Sequence, residues 1–215
     1  MSSLFQIFIG ALLLSLVHAS IPNHWLSIVA ISRSENWSIQ ESMSVTLIAG
    51  SAHILSTIIV GIIIGFFGYT LSSSYEFVTK IAAPLVLFIL GAIYVIIDIK
   101  ENRKHHYHEH IDAEKIIKEK NKNKTAIITS LAIAMFFSPC IEIEAYYFPA
   151  STRGWIGIAI VSIVYFIVTL AGMLLLVNLA MRGVQKINFH FMDHHSRLVS
   201  GSVLILLGIL AFFID

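Results

Sequence analysis

Three histidines, one cysteine and two glutamates lie within stretches of the chain that are otherwise apolar: His18, His24, His53, Cys140, Glu142 and Glu144. An ionisable group placed in a bilayer costs about 2.5–3.5 kcal/mol on insertion scales, so it faces a cavity or a partner rather than lipid. Imidazoles with one thiolate and a carboxylate form a borderline-soft ligand set. It suits Zn²⁺, Ni²⁺, Co²⁺ or copper better than Mg²⁺ or Ca²⁺. His18, His24, His53, Cys140 and Glu144 are therefore the candidate metal ligands. Glu142 and Glu144 also suit proton carriage, and since metal and protons compete for such groups, one site can serve both. Taken singly, each histidine reads as a hydrogen-bonding link between helices and the cysteine as a small apolar filler. Their company, next to two prolines, is what favours a site.

The first proline lies in His18-Ala-Ser-Ile-Pro22-Asn23-His24-Trp25. Pro22 has no N–H for the carbonyl of His18 and its ring clashes there, so a kink or an unwound turn is expected. Six residues apart on a regular helix, His18 and His24 would point about 240° apart. A break at Pro22 lets both face one cavity, with the freed His18 carbonyl beside them. His53 follows a run of small residues, Gly50-Ser51-Ala52, and precedes Ser56 and Thr57. In Ser138-Pro139-Cys140-Ile141-Glu142-Ile143-Glu144, Pro139 frees the carbonyl of Met135 by the same logic. Cys140 and Glu144, four apart, would share a helical face, with Glu142 elsewhere.

These residues must be positioned by elements that live in lipid. Only 13% of the residues are charged and 57% are apolar, against roughly 25% charged in soluble domains. Six stretches reach the length of about 20 mostly apolar residues that a membrane-spanning helix needs. They run over residues 4–31, 41–68, 75–98, 125–148, 154–181 and 196–214. A signal peptide is the competing reading of the first stretch, but no basic residue precedes its apolar run, which resumes after Pro22. No period-2 alternation recurs, which argues against a transmembrane barrel. The single cysteine excludes an intramolecular disulfide framework and a two-cysteine redox relay. Net charge is +1, which gives no reason to expect a nucleic-acid partner.

With the N-terminus outside, Arg33, the basic residues of 100–124, Arg182, Lys186 and Arg197 fall on the cytosolic side. Only Lys80 and Arg153 fall on the other. This bias predicts a multi-pass protein of the cytoplasmic membrane with both termini outside.

The two halves align at a constant offset of 117 positions, which pairs Pro22 with Pro139, Lys80 with Arg197, Gly91 with Gly208 and Asp98 with Asp215. Three spans per half is an odd number, so the second copy must be inverted. Inverted repeats with interrupted helices at matching positions are a transporter signature and place the substrate site near the midplane. The expected fold is all-α: an integral membrane protein of six transmembrane helices in two inverted three-helix repeats, with helices 1 and 4 broken. Residues 1–98 form the first repeat, 99–124 a charged cytosolic loop and 125–215 the second repeat.

That loop carries His105, His106, His108 and His110, and a second tract before the last span carries His190, His194 and His195. Short His-rich tracts bind metal ions. On the expected topology both face the cytosol and would capture metal there.

Together the His18-to-His24 motif, the Ser138-Pro139-Cys140 segment and the 105–110 tract resemble the nickel/cobalt exporter family within the lysine-exporter superfamily. The chain departs from that pattern at Asn23, where an acidic residue would be expected beside His24. The resemblance implies metal efflux from the cytosol driven by the proton gradient. The expected function is therefore a non-enzymatic secondary transporter whose ligand is a transported transition-metal ion, with no permanently bound cofactor. Two rivals are a membrane di-iron oxygenase or desaturase, suggested by His190-x-x-x-His194-His195, and a membrane assembly factor without transport. The first needs its histidines at one membrane surface, whereas three of the ten are expected within spans.

Overall fold

A computed structural model describes residues 3–72, 81, 83–101, 124–183 and 196–213. The histidine tracts, with His105, His106, His108, His110, His190, His194 and His195, lie outside the described residues. Among the described residues every regular element is an α-helix. In chain order these are α1 (Ser3–Ser20), α2 (Pro22–Ser34), α3 (Ile39–Ser72), α4 (Ala83–Glu101), α5 (Lys124–Phe136), α6 (Ile141–Ser151), α7 (Gly154–Met181) and α8 (Ser196–Phe213).

Among the described residues three stretches are long and apolar enough to cross a membrane: Leu4–Ser34, Ile39–Leu71 and Gly154–Met181. A fourth arises if α5 and α6, which meet at a 46° bend, are taken as one broken span. The outer surface is apolar too, with Phe67 and Ile156 each 62% exposed and Ile63, Ile163 and Ile167 more than half exposed. Exposed apolar surface on this scale marks a surface that meets something other than water. The protein is membrane-embedded.

Both breaks follow from proline chemistry. Ile21 adopts an extended conformation (φ −67°, ψ 125°), as the residue before a proline prefers. Pro22 then opens α2, where its missing N–H costs nothing. At the second break residues 137–140 leave helical geometry and Cys140 is extended (φ −102°, ψ 106°) just before α6.

The core is assembled across the halves. α1 packs on α7 and α5 on α3; α2 packs on α7 and α6 on α3; α2 also meets α3, and α6 meets α7. α3 and α7 cross the middle, and α4 pairs with α8. The last pair is close enough to require glycine. A Cβ on Gly91 would lie 2.6 Å from the Gly201 carbonyl oxygen, and one on Gly208 would lie 2.9 Å from the Phe88 nitrogen.

One end of the bundle is stitched by polar contacts. Ser38 and Glu41 form a capping box at the start of α3: the Ser38 N–H donates to Glu41 Oε2 (2.7 Å) and the Glu41 N–H to Ser38 Oγ (3.3 Å). Lys124 pairs with Glu41 and lies 5.4 Å above the Trp37 ring. Arg33 donates to the Ala180 carbonyl near the end of α7 (2.7 Å), which also accepts the Gly183 N–H (3.2 Å).

Candidate metal centre

The breaks bring four side chains to one point. His18 comes from the last turn of α1, His24 from the first turn of α2, His53 from the middle of α3, and Cys140 from the extended residue before α6. One ligand atom from each lies within 4.8 Å of the others. The Cys140 Sγ is 3.5 Å from His18 Nε2, 3.7 Å from His24 Nε2 and 3.3 Å from His53 Nε2. With metal–sulfur bonds of about 2.3 Å and metal–nitrogen bonds of about 2.0–2.1 Å, a tetrahedral ion holds neighbouring S and N ligands about 3.5 Å apart. The three sulfur–nitrogen distances already match that separation. His18, His53 and Cys140 are buried and His24 is partly buried, so an ion bound here would be held away from bulk water.

The break at Ile21 does what regular geometry forbids: the rings of His18 and His24 have centroids 4.7 Å apart. His24 and His53 stack at 4.5 Å and His18 and His53 at 5.8 Å. The His18 carbonyl accepts the Ile21 N–H (3.1 Å). A tight turn recovers that acceptor locally.

The Met135 carbonyl has a different fate. It accepts the Ser138 N–H (3.3 Å), and His53 Nδ1 lies 3.2 Å from it. A carbonyl cannot donate, so His53 carries its proton on Nδ1 and presents the Nε2 lone pair to Cys140. Such an outer partner orients a ligating imidazole and raises its basicity. Thr57 adds a second support, accepting the Cys140 N–H (3.3 Å) while its own hydroxyl donates to the His53 carbonyl (3.1 Å).

Glu144 stays outside the four-ligand group. Its expected alignment with Cys140 assumed a continuous helix, but Cys140 is extended, so the four-residue spacing no longer sets a shared face. Glu144 is nonetheless buried, one turn into α6, and its Oε1 has no hydrogen-bond partner. Glu142 lies in the same first turn.

Tyr165 is the residue that sequence reasoning missed. It comes from the middle of α7, is fully buried, and its hydroxyl lies 3.4 Å from His18 Nε2. A tyrosine in the centre of an apolar span was the available signal, since a buried phenol usually finds a polar partner.

The cluster has the donors, separation and burial of a transition-metal site. To ligate, the imidazoles must be neutral and the thiol deprotonated, so uptake of an ion there releases protons. No family model matches the chain, and comparison with curated proteins and with solved structures finds no match.

Proposed function

We propose that the protein is a secondary transporter that exports a divalent transition-metal ion of the Ni²⁺, Co²⁺ or Zn²⁺ type across the cytoplasmic membrane. The observation that carries this reading is the convergence of three imidazoles and one thiol at two helix breaks inside the bundle. Broken helices whose ends surround a buried site are how transporters expose one ion to alternate sides. Exchange of the ion against protons at His18, His24, His53 and Cys140 couples the two fluxes, with Glu142 and Glu144 carrying the counter-proton. The tracts at 105–110 and 190–195 collect metal on the cytosolic side, and both termini lie outside.

Six spans in two inverted repeats is the architecture that goes with this function. In that reading α1–α2 and α5–α6 are broken first helices, α3 and α7 second helices, and α4 and α8 third helices. Reciprocal contacts support it. Exchanging each helix for its counterpart turns α1 on α7 into α5 on α3, α2 on α7 into α6 on α3, and α2 on α3 into α6 on α7, while the contacts of α1 with α6 and α8 and of α4 with α6 are not matched to the same extent. At the offset of 117, Gly91 and Gly208 are counterparts; Gly91 approaches residues 201 and 205, and Gly208 approaches 84 and 88, again 117 apart. Two-fold relations between like surfaces produce this pattern. The clustering of Arg33, Lys124 and Arg182 at ends of α2, α5 and α7 supports a cytosolic placement of that end.

A four-ligand set without an open position also favours a second reading, a membrane protein that holds a metal without moving it. Proteoliposome flux separates the two. Under an imposed pH gradient, wild-type protein should move one of Zn²⁺, Ni²⁺, Co²⁺ or Cu⁺, and His18→Ala should not. Tight binding without gradient-dependent flux would replace the transporter by the holding protein. Absence of both would end the metal reading.

A further inference from the structure

We infer that Tyr165 is an internal competitor for the metal: its phenolic O–H occupies the Nε2 lone pair of His18 in the empty site and yields when an ion enters. This rests on the metal-site reading and assigns a role to a residue outside the four ligands. The two buried histidines are held in different ways. His53 is fixed from behind, because Nδ1 is tied to the Met135 carbonyl. His18 has no such tie: its Nδ1 is buried without a partner. What sets its tautomer must act from the front, where Nε2 faces the Tyr165 hydroxyl at 3.4 Å and the Cys140 Sγ at 3.5 Å, and of the two the phenol is the stronger donor. A neutral imidazole accepting at Nε2 carries its proton on Nδ1, which is also the tautomer a metal at Nε2 requires. The phenol therefore keeps the ligand correctly protonated and also blocks it. A site that must release its cargo is helped by a donor waiting to reclaim one ligand.

The test is Co²⁺ titration of the full-length protein in detergent, followed by the thiolate-to-Co²⁺ absorption, for wild type, Tyr165→Phe, His18→Ala and the double variant. Removing a competing hydrogen bond should make Tyr165→Phe bind Co²⁺ roughly three- to tenfold more tightly. In the His18→Ala background the same substitution should change affinity by less than about twofold, because the acceptor is gone. Nitrogen-15 NMR of the metal-free wild type should show His18 protonated at Nδ1, a readout that needs no variant. Unchanged or weaker binding by Tyr165→Phe, tightening that persists without His18, or a proton on Nε2 would overturn the inference while leaving the metal site intact. Failure of the wild type to bind Co²⁺ would remove the metal-site reading and this inference with it.

Discussion

The two helix breaks share a proline and differ in what surrounds it. Pro22 opens α2 directly after the extended Ile21, whereas Pro139, 117 positions on, precedes the extended Cys140 that leads into α6. The first break carries ligands on both sides, His18 before and His24 after. At the matching positions the second break has Met135 and Ile141, which offer no imidazole, while Cys140 stands where the first has Asn23. Their freed carbonyls diverge as well. Each accepts an N–H from its own turn, and that of Met135 is also shared with His53 on another helix. The first break thus supplies two of the four candidate ligands, and the second supplies one and the support for another. Two breaks can contribute unequally to one site because the backbone opening and its side chains are set independently.

The comparison is most sharply broken by removing ligands. His18→Ala and Cys140→Ser should each weaken Co²⁺ binding by more than about 100-fold, since each deletes one of four donors from a buried site. Only Cys140→Ser should abolish the thiolate absorption outright. Equal loss from both, with that absorption surviving in Cys140→Ser, would put the sulfur outside the site.

Restoring the missing N–H comes next. Pro22→Ala lets α1 and α2 run on as one helix and swings His18 and His24 apart, so affinity should fall roughly tenfold or more. Pro139→Ala should cost less, because it displaces one ligand. The reverse order, read by the same titration, would mean that the second break dominates the site.

Proton release offers a third test. Co²⁺ affinity should drop as pH falls, because protons and metal compete for the same lone pairs. A plot of log affinity against pH should lose about one proton of slope in Cys140→Ser, because the thiol that must ionise to ligate is gone.

The α4–α8 contact tests the equivalence of the halves. Gly91→Val and Gly208→Val should destabilise by similar amounts, about 1–3 kcal/mol each, visible as matching drops in melting temperature in detergent. A marked difference would argue against a two-fold relation. The smallest effect is expected at the surface. Glu41→Gln removes the charge of the Lys124 ion pair while keeping an oxygen for the capping box, and should leave Co²⁺ affinity within about twofold while lowering the melting temperature slightly.

Much of this was legible without a structure. Pro22 and Pro139 announce the breaks because a missing N–H and a fixed φ act locally whatever the surroundings. The membrane environment follows from composition and run length. His18, His24, His53 and Cys140 could be nominated because ionisable groups in apolar runs need partners. Glu144 was nominated for the same reason, yet its assignment as a ligand relied on a helical register that the extended Cys140 cancels.

The chain by itself determined where its helices break and which residues are too costly to leave alone in lipid, since both are matters of local chemistry and transfer energy. Only the tertiary structure decided that His53 leans on the Met135 carbonyl, 82 positions away, and that Tyr165 faces His18 from 147 positions away. Those pairings depend on how α3 and α7 rotate as they pack between the breaks. In helices apolar nearly all round, no hydrophobic stripe encodes that rotation; close packing of side chains sets it.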